Sequence, residues 1–388
     1  MSKASREFWR CNSSPREGVT FEKVGPFIYK SFEPERGLKK IGDPQGHHWC
    51  VGDCPRFSNA LSLCPRGQFA EDCNKFAHNC PGYLKFCESF DSTIRICNSP
   101  GGSQRKYEYV EGYNGKFLGK KGSCARVTNY ASHLYGFHEC QICLCTCENP
   151  DKNLDIYVNL REVVSDVYQN KVIVGIRLKK IDGIFYLQIQ EAVLLPSGTV
   201  DPKTKSWARI NTYKRTDGNV REGVDYFRLS WDHSSVELDD IVLNGDSVVT
   251  GVKFTFAQGL LRLEVRGHRF DYKQGKLKIP NYSWHRNIKS TSNLSQLGLT
   301  YLDLPSDHSN NPIHSYPGQY VTLRTSSLEH DVGQSIIPFV DIDPVELRQP
   351  APLSGIGLFH KSYKNGAAGY LTLKILNYDY EPYVKIVV

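Results

Sequence analysis

The chain has 388 residues, 40% hydrophobic, 12% aromatic and 23% charged, which supplies apolar material for two or three domains and argues against disorder as the default. Its net charge of +7 is spread out, +5 over residues 1–150 and +2 over the rest, with no Lys/Arg run longer than two. The concentrated basic face that nucleic-acid binding needs is therefore missing, while loose attraction to acidic polysaccharide stays open. No segment approaches about 18 consecutive apolar residues, so no membrane span is expected.

Residues 1–40 read as a polar arm. Its opening, MSKASREFWRCNSSPREG, lacks the apolar stretch of a secretory leader. Met1 is the only methionine, so a leader would lie upstream of this sequence.

Residues 41–150 read as a disulfide-rich module. All thirteen cysteines lie between positions 11 and 147, a density that signals a disulfide scaffold. Cys50, Cys54, Cys64, Cys73, Cys80, Cys87, Cys97, Cys124, Cys140, Cys143, Cys145 and Cys147 are the bridge candidates. Cys11 is the odd one out, either free or paired with another chain. Zinc competes with this reading, because Cys50/Cys54 and Cys140/Cys143 have ligand-like spacing near His47, His48 and His138. Redox chemistry is a third reading. Geometry favours bridges: on an extended FHECQICLCTCENP, Cys143, Cys145 and Cys147 share one face at roughly 6.5–7 Å spacing, too far to bridge one another. Each must reach another part of the chain. Turn stretches GDPQG, CPRG and NSPGG suit a loop-rich module with a thin core. No pairing follows from sequence alone.

From residue 151 to 388 the texture becomes alternating and cysteine-free. VNLREVV, VIVGIRLKK and FYLQIQ form one unit. VELDDIV, VVTGVKFTF and LRLEVR form a second; VDIDPVE, PLSGIGLFHK and YLTLKI form a third. Gly175, Gly251 and Gly355 mark equivalent places, 76 and 104 residues apart, and read as bulges or close-contact points. Each unit is expected to be a hairpin with Leu187/Ile189, Leu261/Leu263/Val265 or Leu371/Leu373/Ile375 inward. Gln188/Gln190, Arg262/Glu264 and Thr372/Lys374 are expected on a wet face. A lone hairpin is unstable, so three should share one core. The predicted fold class is mainly β: a disulfide-rich module plus an antiparallel domain of three hairpin repeats, β-prism-like, or else a barrel or sandwich. The extra residues at about 277–335 read as a polar excursion on one rim. They hold sequons at Asn281 and Asn293; Asn12 begins a third.

Catalytic signatures are absent from the sequence: there is no H-E-x-x-H, G-x-S-x-G, P-loop or GxGxxG. Asp303, Asp307, His308 and His314 form the densest polar cluster, read mainly as a solvated loop and alternatively as a metal or acid–base site. Asp239/Asp240 and Asp341/Asp343 recur at the unit leads and read as acceptors of backbone hydrogen bonds at bends; a calcium or sugar site there is broken in unit one, which has Arg161/Glu162. His47 and His48 read as surface residues. No catalytic residue, metal or cofactor is assigned.

The phrases VVTGVKF, YLQIQEAVLLPSG, FDYKQGKL and PLSGIGLFHK, with the CxxCxCxC of 140–147, resemble an uncharacterised arthropod family over roughly 137–388 and more loosely elsewhere. That resemblance implies secretion, a two-part build and a carboxy-terminal domain of unknown function, and it transfers no catalytic residue. The VxG[IV]xx repeat is also similar to β-prism proteins such as jacalin-like lectins and the egg vitelline outer-layer protein, from which every unit here departs in sequence. The expectation is a secreted binding or structural protein with a glycan or extracellular-matrix ligand. A secreted hydrolase using the 303–314 loop and an intracellular zinc protein are the alternatives.

Overall fold

A computed structural model describes residues 6–10, 12, 14–25, 28–34, 38–39, 48–49, 84–90, 93–101, 105, 107–122, 124–131, 134–135, 138–139, 142–148, 157–287, 293–299, 302–305, 315–362 and 368–383. They are mainly β. The strands used below are, in chain order, β1 (Glu7–Phe8), β2 (Phe21–Glu22), β3 (Ile28–Pro34), β4 (Leu84–Phe90), β5 (Thr93–Asn98), β6 (Tyr107–Gly112), β7 (Phe117–Gly119), β8 (Arg126–Ala131) and β9 (Ile142–Glu148). The first repeat adds β10 (Tyr157–Asn159), β11 (Val163–Val164), β12 (Lys171–Ile181), β13 (Ile184–Leu195), β14 (Ser206–Trp207) and β15 (Tyr226–Arg228). The second has β16 (Ser235–Leu238), β17 (Asp240–Val242), β18 (Ser247–Ala257), β19 (Leu260–Asp271), β20 (Lys276–His285) and β21 (Gln319–Thr322). The third has β22 (Phe339–Asp341), β23 (Val345–Glu346), β24 (Leu353–Lys361) and β25 (Tyr370–Asn377).

Each repeat is built on a long hairpin: β12–β13, β18–β19 and β24–β25. The first two turn through Asp182-Gly183 and Gln258-Gly259, with φ of 49° and 76° and of 54° and 79°. Two left-handed residues in a row match the right-handed twist of the strands they join. In every first strand the register slips before the repeat glycine, leaving Val174, Thr250 or Ser354 as the extra residue of a bulge. A short strand from another unit then lies on that glycine. β11 crosses to unit two (Val164 opposite Gly251), β17 to unit three (Val242 opposite Gly355), and β23 back to unit one (Glu346 opposite Gly175). A Cβ at Gly175 would sit 3.0 Å from Glu346 Cβ, at Gly251 3.0 Å from Val164 Cγ1, and at Gly355 2.5 Å from the Ile241 carbonyl oxygen. The repeat favours glycine because a neighbouring strand passes over it, with its side chains at Gly175 and Gly251 and its backbone at Gly355.

The exchange is cyclic, and so is the rest of each sheet. The lead strands β10, β16 and β22 run parallel to the start of β13, β19 and β25. An outer strand pairs antiparallel with each lead: β15 on β10, β21 on β16 and β2 on β22. An edge strand pairs with the end of each hairpin: β14 on β13, β20 on β19 and β1 on β25. Units one and two take these two closing strands from the residues that follow them. Unit three takes them from the amino terminus. The described residues among 6–24, read from sequence as part of a polar arm, thus form a strap that completes the third sheet. Phe21 stacks on Phe339 at 5.1 Å and 11°, and Glu22 bonds Lys180 of unit one at 2.6 Å. The stretch at about 277–335 is likewise no rim excursion, since it supplies β20 and β21 to the second sheet.

One apolar core takes side chains from all three units, including Ile189, Leu263 and Leu373. It is indented by an apolar pocket lined by Val158, Val236 and Val340 and by Phe185, Leu261 and Leu371, register-equivalent triads of the three units. Among the described residues no sheet closes on itself, so the barrel alternative falls, and three sheets rather than two share the core. The faces expected to be wet are covered. Gln188, Gln190, Arg262, Glu264, Thr372 and Lys374 are all buried, because the edge strands and their side chains lie across them.

The remaining strands enter between β2 and β10. One sheet runs β8–β5–β6–β7, and another places β9 between β3 and β4. Phe90, Ile94, Val110, Ile142 and Leu144 form their core, into which Val332 of the β domain inserts. Arg105 pairs with the fully buried Asp331, and Gln334 donates to the Tyr107 carbonyl at 2.6 Å. A disulfide joins Cys97 on β5 to Cys124, with Cα atoms 5.4 Å apart. Cys143, Cys145 and Cys147 lie along the extended β9 and Cys87 on β4. Cys11, Cys50, Cys54, Cys64, Cys73, Cys80 and Cys140 lie outside the described residues, as do His47 and the sites of any zinc reading built on them. No described helix is long and apolar enough to cross a membrane.

Candidate functional site: the outer face of the second sheet

The outer face of the second sheet gathers charge and aromatic rings on one side. Arg266 of β19 stands opposite Trp284 of β20, and His268 opposite Tyr282. Residues two apart on a strand share a face, so both rings lie on the side of Arg262, Glu264 and Arg266. Lys253 of β18 lies opposite Glu264 and holds its ammonium 4.4 Å from the Trp284 ring centre and 3.4 Å from Glu264 Oε2. Arg266 stacks its guanidinium 5.0 Å from the Tyr282 centre, and the exposed Arg286 reaches Glu264 Oε1 at 3.5 Å. Trp284 is half-buried and Tyr282 is 55% exposed. Below them, Arg262 lies 3.5 Å from the buried carboxylate of Glu237 and donates to the Asn287 carbonyl at 3.3 Å. The surface thus carries two aromatic rings beside cations and one carboxylate, held by the ion pairs of Lys253 and Arg286 with Glu264 and of Arg262 with Glu237. It can stack on a flat apolar ligand face and bond hydroxyl groups around it.

Beside this plate the bulge residue Thr250 contacts His268 Nδ1 at 2.7 Å. Burial first, and the Arg266 charge second, pull the His268 imidazole down to about 4. With both side chains sealed from solvent, the pair is a structural contact.

The third sheet carries a cleft in place of a plate, lined by Asn12, Thr20, Asp341, Asp343, Lys361 and Tyr370. Lys361 pairs with the buried Asp341 and donates to the Arg10 carbonyl of the strap at 2.9 Å. Thr372 Oγ1 donates to Asp341 at 3.0 Å, and Asn12 Nδ2 to Asp343 at 3.0 Å. Burial raises the Asp341 carboxyl against the pull of Lys361. The contacts tie the strap to the sheet.

Asp303 bonds His330 Nδ1 at 2.6 Å, whereas Asp307, His308 and His314 lie outside the described residues. Asp239 and Asp341 accept from the backbone of Asp240 and Asp343, each at 2.8 Å. Asp240 also bonds Lys374 at 2.6 Å. Asn281 and Asn293 are exposed, whereas Asn12 is engaged in the cleft. Among the described residues no three His, Cys, Asp or Glu groups are placed to hold a metal. Sequence reading missed Trp207 and Trp284, though their offsets of 32 and 33 residues from Gly175 and Gly251 repeat.

No curated protein matches the chain. Residues 1–189 match a family described as Domain of unknown function (DUF4803), a span that holds the strap, the cysteine-bearing strands and most of the first hairpin rather than the 137–388 of the sequence resemblance.

Proposed function

We propose that the chain is a secreted recognition protein whose β-prism-like domain binds glycans through the outer faces of its sheets. The observation that carries this is the Trp284 plate, with Lys253 stacked 4.4 Å from its centre and Glu264 beside it. Aromatic planes with convergent donors and acceptors suit sugar rings, which have apolar C–H faces and polar rims. The Cys97–Cys124 bridge agrees with an oxidising compartment, and exposed sequons at Asn281 and Asn293 agree with passage through a secretory route. Kinship with secreted arthropod proteins belongs to the same reading, and no catalytic turnover is expected.

The test is a glycan array probed with the full chain, repeated with Trp284→Ala and Lys253→Ala. Retention of oligosaccharides that Trp284→Ala weakens at least tenfold, without turnover, is the expected result. Retention indifferent to both substitutions, or none at all, refutes the assignment. Mass analysis of secreted protein should find glycan on the exposed Asn281 and Asn293.

A further inference from the structure

We infer that the chain is bivalent: the first sheet repeats the plate of the second, each takes one β-linked oligosaccharide of all-equatorial pyranose rings, and the strap closes the third. This rests on the glycan reading above and adds valence and subsite chemistry to it.

The bulge glycines align the sheets. Counted from Gly175 and Gly251, the cross-strand pair Arg177/Gln188 corresponds to Lys253/Glu264. The edge-strand pair Gln190/Trp207 corresponds to Arg266/Trp284. Geometry repeats with register: the Arg177 guanidinium lies 4.4 Å from the Trp207 centre, as Lys253 does from Trp284. Arg177 Nε donates to Gln188 Oε1 at 2.8 Å, and Gln188 Nε2 to the Ala208 carbonyl at 2.7 Å, so the cation is held in place. Trp207 is half-buried like Trp284.

The third sheet breaks the pattern at the same register. Gly357 replaces the stacked cation and faces Lys374, while Glu7 of the strap faces Leu376 where the others place tryptophan. Lys374 bonds Asp240 at 2.6 Å and Glu7 at 3.3 Å. Trp9 is spent edge-on against Phe359 at 6.1 Å. Two plates remain, on different sheets about one pseudo-threefold axis.

An indole is about as broad as one pyranose ring, and a ring with all-equatorial hydroxyls offers it an uninterrupted C–H face on either side. The stacked cation, held in place by its buried Gln or Glu partner, then meets hydroxyls at the rim. Two plates facing different ways cannot share one short chain, so each binds its own, and a polysaccharide surface is gripped or cross-linked with avidity.

Titration calorimetry of the full chain with cellotetraose tests this. Two sites per chain are expected, falling to one in Trp207→Ala, to one in Trp284→Ala and to none in the double variant. Arg177→Gln, a milder change, should weaken one site about tenfold and leave the other, which separates ligand contact from misfolding. One site lost with Trp284→Ala but indifferent to Trp207→Ala and Arg177→Gln overturns bivalence and leaves the glycan reading standing. No cellotetraose binding overturns the bivalent pyranose site, and the array then decides the broader reading.

Discussion

Replacing Phe21 by alanine should destabilise the β domain although the residue lies more than 300 positions from the ring it stacks on. Phe21 is 3% exposed, lies 5.1 Å from Phe339 and 5.6 Å from Tyr370, and belongs to a strand that makes only two residue pairs with β22. Truncating a buried phenylalanine costs about 3–5 kcal/mol, including the cavity it leaves. The relaxed packing of a chain terminus argues for the lower half, about 3 kcal/mol. Against a total of roughly 5–15 kcal/mol that is a large fraction, and it should pull the urea midpoint down correspondingly. The control is Val19→Ala, two residues away and 55% exposed, which should stay within about 0.5 kcal/mol. Tryptophan emission is the natural probe, because Trp9, Trp207, Trp231 and Trp284 all lie in the strap or the three repeats and only Trp49 does not. Equal midpoints for Phe21→Ala and Val19→Ala would show that residues 6–24 are a tail resting on the domain, and the closed three-unit ring would have to be abandoned.

Gly355→Ala should cost about 2–3 kcal/mol in the same assay, because its Cβ would meet the Ile241 backbone oxygen at 2.5 Å. Gly175→Ala, which meets side-chain atoms at 3.0 Å, should cost less than half of that; the reverse order would refute the close-approach explanation. His268, held neutral with a value of about 4, binds fewer protons folded than unfolded between pH 6.5 and 4. Stability should therefore be full above pH 6.5 and fall on acidification, by up to about 3 kcal/mol from this group. The difference between wild type and His268→Asn across that range isolates it, and parallel pH curves would contradict the shift. Cys124→Ser opens a loop of sequence separation 27 and should lower the stability of the β5–β8 sheet by about 3.5 kcal/mol, read by thermal melting under oxidising conditions.

The hairpins were legible because Leu, Ile and Val alternate with polar residues over ten or more positions and because one glycine recurs in each. Asp182-Gly183 was a further hairpin signal in plain view. Three closing strands were not legible, for a physical reason: β1, β2 and β14 are two residues long and too short to carry a period. Their positions are set by tertiary pairing alone. The second faces misled in a different way. Alternating Gln, Arg, Glu and Lys reads as solvent, since pattern records polarity and not cover. Whether such a face is wet depends on strands β14, β20 and β1, which come from other parts of the chain. The candidate site shares that origin. Lys253 and Glu264 sit within one hairpin, but Trp284 joins them through a strand that looked like loop.

The cyclic order also says what sort of object the matched family span is. The outer strand of each sheet is followed by the next unit's lead strand. Residues 229–234 make that connection after unit one and 323–338 after unit two, whereas 23–156 make it after the strap. Lengthening a flexible connection from the shortest of these to the longest would cost about 3 kcal/mol in closure entropy. The described strands within that connection offset part of that cost, which gives the bridge between Cys97 and Cys124 and the Arg105–Asp331 contact a role beyond their local sheet. The span 1–189 contains β1 and β2 but not β25 and β22, on which they pair, and contains Gly175 but not β23, which lies across it. A fragment with those limits leaves two strands without a sheet and breaks the first hairpin within its second strand. The whole ring, not the matched segment, is the unit that buries its own core.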